Sequence, residues 1–271
     1  MSVPPALGGN KYGTNWQRGE IVLALYLYCQ IPFRSTTARN PEVQRLALLL
    51  GRTPASVARK LGNFGAFDPL LAAQGIAGLS HASAADRAVW QEFDGYWGAL
   101  VEESGRLMRA LSAPPDVVSQ PDTIPDDAPM WTPPPGPTTA ARTVMTRRVQ
   151  SFFRRAVLAS YQGQCCVCGI DLPPLLVASH IIPWARRDDT RTDPQNGLCL
   201  CALHDRAFDN GFFTVSEQYT VVASPALARS RAAFTGVALR DFGGQRIQLP
   251  QRFAPKPEFL QWHGEHVFQT G

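Results

Sequence analysis

The sequence predicts an α+β protein with an N-terminal helical part and a C-terminal part in which two strands precede a helix. Residues 1–112 repeat an apolar spacing of three and four residues, which is typical of helices. Residues 165–215 contain two apolar runs placed between pairs of metal-ligand residues, which indicates a small sheet held by a metal ion. The 271 residues are 45% hydrophobic and 18% charged, which excludes a disordered or fibrous chain.

A proline-rich acidic stretch divides the chain. Residues 113–139 contain nine prolines and four aspartates, with no Lys or Arg. This composition predicts an extended linker between a helical module at 1–112 and a second module at 140–271. The formal net charge of +4 divides into +3 and +5 for the two modules and −4 for the linker. Such modest values favour local arginine clusters over a uniformly basic surface.

The helical module begins with a segment that is apolar on all sides. Asn15 predicts the cap of a buried helix over Trp16 to Gln30. Its longest apolar run, Ile21 to Cys29, has nine residues, about half of what a membrane-spanning helix needs. The first residues, MSVPPALGGNKYG, also lack the pattern of a secretory signal. We therefore expect a soluble cytoplasmic protein without a membrane partner.

Two start signals for short helices follow. Asn40 before Pro41 begins a helix that Gly51 ends, and Thr53 before Pro54 begins another that runs to about Phe64. Two short helices joined by a tight turn predict a helix-turn-helix. The outer face of the second helix carries side chains suited to phosphates and base edges, although a solvated face would look the same. These side chains are Ser56, Arg59, Lys60 and Asn63.

An amphipathic segment, Ala84 to Leu111, completes the helical module, and its aromatic residues at helical spacing predict core packing. A helix over Thr146 to Tyr161 opens the second module. It carries four arginines that either form a solvated face or contact phosphates. These are Arg147, Arg148, Arg154 and Arg155.

Two ligand pairs at CxxC-type spacing follow that helix. Cys165 and Cys168 form the first pair, and Cys201 and His204 form the second, with 32 residues between them. Two such pairs can offer four ligands to one ion in a tetrahedral arrangement, which predicts structural Zn²⁺. Six cysteines in a cytoplasmic protein agree with metal ligation better than with disulfides.

The remaining cysteines of this region leave an alternative open. Cys166 is too close to Cys168 for the usual spacing, whereas Cys199 lies two residues before Cys201 and shares its side of a strand. Both are interpreted as small buried residues. The competing scheme gives zinc only cysteines, Cys199 among them, and leaves His204 for a second metal.

Between the ligand pairs the sequence reads as strand, loop, strand and helix. The run LLVASHII predicts the first strand and contains His180, and LCLC after Asn196-Gly197 predicts the second. A helix begins near Ala202. The polar loop between the strands carries three candidates for contact with a nucleic-acid backbone. They are Arg186, Arg187 and Arg191.

Near the end of the chain, His263 and His266 are expected to be packing or surface residues.

Taken together, CxxC, SHIIPW, PQNGLCLC and LHDRAFDNG resemble the HNH, or ββα-metal, endonuclease family. With NPEVQRLALLLGRTPASVARKLGNF upstream, the chain resembles bacterial HNH restriction endonucleases over most of its length. The resemblance implies a one-metal hydrolysis of phosphodiester bonds in double-stranded DNA. It gives His180 the role of general base and Asn196 that of a residue that fixes the site.

Two positions depart from the family pattern. Ser179 stands where many members have an acidic metal ligand, and Asp205 stands where many have a histidine. A carboxylate is a good ligand for Mg²⁺ or Mn²⁺, so Asp205 is expected to hold the catalytic ion. Asp209, one helical turn further, can reach the same side.

The sequence thus predicts a Mg²⁺- or Mn²⁺-dependent restriction endonuclease. One ββα site cuts one strand, so cleavage of both strands favours a homodimer. Whether the helical module recognises a base sequence, a modified base or only the backbone stays open. The rivals are a non-catalytic zinc-containing DNA-binding regulator and an HNH nuclease of repair or recombination.

Overall fold

The computed structural model describes residues 13–76, 82–112 and 137–270. The predicted linker at 113–139 lies outside these ranges except for its last three residues, which begin a helix. The division of the chain into two modules therefore stays a prediction.

Helices alone make up the part of the structure before residue 113. The first is buried along almost its whole length, as predicted, but it begins at Arg18 because Gln17, not Asn15, forms a capping box with Glu20. The six helices are α1 (Arg18–Gln30), α2 (Pro41–Leu50), α3 (Pro54–Phe64), α4 (Pro69–Ala73), α5 (Ala84–Phe93) and α6 (Trp97–Ser112).

The predicted pair of short helices forms as α2 and α3. The Asn40 side chain accepts a hydrogen bond from the Glu42 amide, and the Thr53 hydroxyl accepts one from the Ser56 amide. Gly51 takes a left-handed backbone conformation with φ 66°, which a side chain would disfavour. The segment Ala84 to Leu111 contains two helices, because the chain turns between α5 and α6 at Gly95 with φ 81°.

Two small antiparallel sheets and five helices make up the part of the structure after residue 136. The order strand, loop, strand, helix is the predicted one. The elements are α7 (Pro137–Ser160), β1 (Leu176–His180), β2 (Gly197–Cys201), α8 (Ala202–Asp209), β3 (Phe213–Val215), β4 (Val221–Ala223), α9 (Pro225–Arg229), α10 (Ala233–Ala238) and α11 (Pro257–His266). Strand β1 pairs with β2, and β3 pairs with β4.

Helix α7 belongs to both hydrophobic clusters of the molecule. Its Phe152 and Ala156 pack with α1 and the other N-terminal helices. Its Phe153 and Val157 pack with β1, β2 and α8. Through these two faces the helix joins the helical core to the sheet. It begins at Pro137, nine residues before its predicted start. Within the described residues, none of the helices combines the length and the apolar content that crossing a membrane requires.

Candidate active site and zinc cluster

The two predicted ligand pairs meet in space. The ligand atoms of Cys165, Cys168, Cys201 and His204 all lie within 4.8 Å of one another. Cys201 Sγ is 3.1 Å from His204 Nδ1, and Cys168 Sγ is 3.9 Å from Cys201 Sγ. A zinc ion with Zn–S bonds of about 2.3 Å separates tetrahedral sulfurs by about 3.8 Å. These four residues therefore have the composition and spacing to hold zinc.

The local backbone explains this spacing. The first pair sits in a turn closed by hydrogen bonds from Cys165 N to Ile170 O and from Gly169 N to Cys165 O. Cys201 precedes the first residue of α8, so His204 follows it by about one helical turn. Burial opposes ionisation of Cys165, but hydrogen bonds from His204 and backbone amides outweigh it and lower its pKa to about 6. A readily formed thiolate suits a metal ligand.

The two other cysteines of the region lie in the core. Burial raises the pKa of Cys199 to about 12 and that of Cys166 well above its ordinary value, so both stay protonated thiols. The Cys166 amide donates to the Cys199 carbonyl at 2.8 Å, which ties the first ligand pair to β2. Burial also raises the pKa of Cys168 to about 12, so the pKa values do not choose the ligands. The distances do, since they group His204, and not Cys199, with the other three residues.

His180 ends β1 in a half-buried position against α7. Its ring stacks on Phe153 with centroids 3.6 Å apart, and its Nε2 lies 3.1 Å from the Arg191 carbonyl oxygen. Because a carbonyl can only accept, Nε2 carries the proton and Nδ1 holds a lone pair. Nδ1 has no hydrogen-bond partner among the residues that the structure describes. Burial lowers the pKa of His180 from 6.5 to about 4, so the ring is neutral at neutral pH.

Gly197 allows that stack to form. It pairs with His180 in the sheet, and a Cβ at this position would lie 2.3 Å from Val157 Cγ2 and 3.0 Å from Phe153 Cζ. Only a residue without a side chain lets α7 approach the sheet this closely. Phe153 was missed by the sequence reasoning. Its apolar spacing along α7 marks it as buried, but no local signal pairs it with a histidine 27 positions later.

Asn196 braces the loop between the strands. Its side-chain amide donates to the carbonyls of Ile182 and Thr190, and its Oδ1 accepts from the Ile182 amide at 2.8 Å. It does not hydrogen-bond to the His180 ring. Its action on that ring is indirect, because it holds Thr190, next to the Arg191 carbonyl that His180 contacts.

Asp205 and Asp209 lie one helical turn apart on α8. Burial raises the pKa of Asp205, although the neighbouring Ser179 hydroxyl and Arg206 partly offset the effect. Burial and the nearby Asp205 charge raise the pKa of Asp209 to about 6. The structure therefore brings Asp205 beside Ser179, the residue before His180 on β1. A cation bound between the two carboxylates would offset their repulsion and favour their ionised forms.

The predicted DNA-facing side chains of α3 separate into two groups. Arg59 is exposed and Ser56 is half-buried. Lys60 and Asn63 point inward and bind Asp86 of α5, with Lys60 Nζ 2.6 Å from Asp86 Oδ1. The Asp86 side chain is 0% exposed, so the ion pair is internal. The sequence places Asp86 more than 20 residues from Lys60 and gives no signal of this pairing.

The arginines of the loop between the strands form local contacts. Arg187 pairs with Asp189, and Arg191 pairs with Asp188 at 2.6 Å while its Nε donates to the Trp184 carbonyl. Arg186 is exposed. The structure thus places all three predicted arginines beside the His180 end of the sheet.

Helix α7 contains five arginines and no acidic residue. Arg154 donates to the Leu176 carbonyl at the start of β1. Arg155 is 45% exposed, and its guanidinium lies 4.0 Å from Glu42 of α2. The basic face of α7 therefore extends from the helix-turn-helix to the strand that carries His180.

Comparison with known proteins gives a family match for the C-terminal part. Residues 165–216 match a family model described as HNH endonuclease, and this segment contains the four clustered Cys and His residues, both strands of the first sheet and α8. No curated protein matches the chain. A solved structure described as "Modification dependent TagI restriction endonuclease" matches with 23% identity and a TM-score of 0.32. The match covers 42% of this chain and 37% of that one, so the chain spans little more than a third of that protein's length.

Proposed function

Because residues 165–216 form an HNH endonuclease domain, we propose that this protein is a metal-dependent endonuclease that hydrolyses phosphodiester bonds of double-stranded DNA. The observation that carries the proposal is the state of His180. Its ring is half-buried and neutral, its Nε2 is bound to a carbonyl, and its Nδ1 has no partner among the described residues. A binding protein needs no such group, which argues against a non-catalytic zinc-containing regulator.

In this mechanism His180 Nδ1 accepts a proton from the water that attacks the phosphate. The hydrogen bond from Nε2 to the Arg191 carbonyl fixes the tautomer that exposes the Nδ1 lone pair. Stacking on Phe153 fixes the ring plane. Asn196 acts as a positioning residue, since it holds the loop that supplies the carbonyl. General-base catalysis of this kind contributes roughly 10²–10⁴-fold to the rate.

Asp205 and Asp209 would hold the catalytic Mg²⁺ or Mn²⁺. Their carboxylate oxygens are the ligand type that these ions prefer, and the pair is partly buried. When bound, the ion would stabilise negative charge on the phosphate. Cys165, Cys168, Cys201 and His204 would hold a structural zinc that ties α8 to the first ligand turn.

We propose that DNA contacts the exposed face of α3 through Ser56 and Arg59 and the loop through Arg186, Arg187 and Arg191. The arginines of α7 add positive charge near α2 and β1. Lys60 and Asn63 do not contact DNA in this proposal. Their bonds to Asp86 hold α3 against α5 and so support the exposed face.

The restriction of foreign DNA is the finer part of the proposal. It is supported by the sequence resemblance to bacterial HNH restriction endonucleases and by a helix-turn-helix that can select DNA. One site for each chain makes a homodimer the expected form for cutting both strands. A nuclease of repair or recombination is the second candidate, and it differs in preferring branched over linear duplex DNA.

Cleavage of plasmid DNA tests the nuclease proposal. Plasmids from methylating and non-methylating hosts are incubated with the protein and Mg²⁺ or Mn²⁺, with a branched duplex as the third substrate. We expect metal-dependent cutting that His180→Ala abolishes. No cutting of any substrate would favour the regulator, and equal cutting by His180→Ala would exclude His180 as the base.

Metal analysis tests the zinc cluster. We expect about one zinc per chain in the wild type and loss of zinc in both Cys168→Ser and His204→Ala. The matched control is Cys199→Ser, which should keep its zinc. Full zinc content in His204→Ala together with loss in Cys199→Ser would support the cysteine-only scheme instead.

A further inference from the structure

A short segment late in the chain, residues 251–256, joins the helical core to the proposed active site. We call it the connecting segment. It passes the end of α7, where Gln251 N donates to Ser160 O at 2.8 Å, and then reaches the loop between β1 and β2. None of its residues was singled out by the sequence motifs.

The first half of the connecting segment is anchored in the helical core. Arg252 is 0% exposed, and its guanidinium donates to the carbonyls of Tyr28 at 2.5 Å and Ile31 at 2.6 Å. These carbonyls belong to the end of α1, where backbone acceptors lack helical partners and a positive charge is favoured. The Phe253 ring packs edge-on against Trp97 of α6. The position of the segment is therefore set by α1 and α6.

The second half of the connecting segment is bound to the loop between β1 and β2, residues 181–196, which we call the catalytic loop. Lys256 Nζ lies 2.8 Å from Asp193 Oδ2, and the Lys256 amide donates to the Gln195 carbonyl. The Gln195 side chain donates in turn to the Ala254 carbonyl. Asp193 is buried, and its other oxygen accepts from the Gln195 amide, which closes the short turn that ends at Asn196.

Lys256 also separates two carboxylates that belong to different parts of the molecule. Asp94 lies in the turn between α5 and α6, and burial together with the Asp193 charge raises its pKa, whereas Lys256 lowers it. All three residues line one surface cavity, in which Asp94 is exposed and Asp193 is buried. Without the ammonium group, no cation of Lys256 would offset the repulsion between the two carboxylates. Their repulsion would act on the turn that carries Asn196.

We propose that Lys256 is a positioning residue for the nuclease reaction. Lys256 holds Asp193, Asp193 closes the turn that carries Asn196, and Asn196 braces the loop whose Arg191 carbonyl orients His180. Since Arg252 and Phe253 fix the connecting segment to the helices, the geometry at His180 depends on the helical part being in place. This inference rests on the proposed function of His180.

Single-turnover cleavage with excess protein tests the proposal through Lys256→Met. We expect the rate at saturation to fall roughly tenfold while the affinity for DNA changes less than about twofold, because a base displaced by a fraction of an ångström loses rate and not binding. Lys256→Arg should restore most of the rate. Asp94→Asn in the Lys256→Met background should restore part of it, since it removes the repulsion.

Hydrogen exchange supplies a second readout that needs no cleavage. Amides at 190–196 should exchange faster in Lys256→Met, while those at 165–169 should not change. Arg18→Met is the matched control, because it removes ion pairs with Glu92 and Glu103 and leaves the loop untouched. It should behave as wild type in both assays.

The outcomes separate this proposal from the proposed function. A wild-type cleavage rate and unchanged exchange at 190–196 in Lys256→Met would overturn the role of Lys256. Equal losses in Lys256→Arg and Lys256→Met would also contradict it. A wild-type protein that cuts no DNA would instead contradict the nuclease function, and the exchange data would still show whether Lys256 holds the loop.

Discussion

His180 on β1 and His263 on α11 have closely similar surroundings in two separate places. Each ring stacks on a phenylalanine, His180 on Phe153 at 3.6 Å and His263 on Phe208 at 3.7 Å between centroids. Each Nε2 contacts a backbone carbonyl, at 3.1 and 3.2 Å. Burial lowers the pKa of both to about 4. Both histidines are therefore neutral at neutral pH and of fixed tautomer.

The two sites differ at the other ring nitrogen. Nδ1 of His263 accepts a hydrogen bond from the buried Thr214 hydroxyl at 2.9 Å, so both nitrogens are bonded inside the core. Nδ1 of His180 has no partner in the described part of the chain, and the preceding residue, Ser179, lies beside Asp205 of α8. Burial and a lowered pKa thus do not distinguish a base from a packing residue. The unbonded atom and its neighbours do.

The largest expected difference between the two histidines is in catalysis. His180→Ala should reduce cleavage by roughly 10²–10⁴-fold, whereas His263→Ala should stay within about threefold of wild type when assayed below its melting temperature. Single-turnover plasmid cleavage measures both rates, and zinc content and circular dichroism serve as folding controls. A comparable loss in His263→Ala, with the fold intact, would invalidate the distinction.

The next largest effect is on stability, where His263→Ala should lose more than His180→Ala. His263→Ala removes a stacked ring and leaves the Thr214 hydroxyl without its acceptor, so we expect a loss of about 2–4 kcal/mol in the free energy of unfolding. His180→Ala should cost less, because His180 is only half-buried whereas His263 is 1% exposed. Urea unfolding of both variants measures these losses, and a greater loss in His180→Ala would contradict the comparison.

Acidification should weaken the fold through both histidines alike. Each has a folded-state pKa near 4 against an ordinary value of 6.5, so between these values the unfolded chain binds more protons. Stability from each neutral ring is present above pH 6.5 and is lost as the pH falls toward 4. From about pH 7.5 to about pH 5 we expect a loss of about 2 kcal/mol for each histidine. In urea unfolding over the same pH range, the free energy of unfolding of His263→Gln should fall by about 2 kcal/mol less than that of the wild type.

The smallest expected effect comes from Thr214→Val. It leaves His263 Nδ1 unbonded but still enclosed, and should cost about 1–2 kcal/mol in stability without adding or removing nuclease activity. Thermal melting and plasmid cleavage measure the two quantities. Cleavage that persisted in a Thr214→Val/His180→Ala double variant would show that an unbonded nitrogen is sufficient without the neighbours of His180.

Local signals in the sequence predicted the short helices α2 and α3 and the group of four Cys and His ligands. Proline at the first helical position set the starts of α2 and α3, and Gly51 set the turn between them. The spacing of Cys165, Cys168, Cys201 and His204 anticipated their grouping. These features depend on residues close in sequence or on the geometry of one ion, so a pattern is enough to find them.

The parts that could not be predicted depend on partners far apart in the chain. Lys60 has the residue type of a DNA contact, and only the fold reveals Asp86 beside it. The stack of Phe153 on His180 depends on a close approach of α7 at Gly197. Arg252 sits in an unremarkable proline-flanked stretch, and nothing nearby indicates that it binds carbonyls more than 200 positions earlier.

The cap that Arg252 places on α1 makes the first helix depend on a residue more than 220 positions later. Arg252 donates to the carbonyls of Tyr28 and Ile31 across 224 and 221 positions. Contacts of such long range form late in folding. We therefore expect the end of α1 to become ordered after local features such as the turn between α2 and α3.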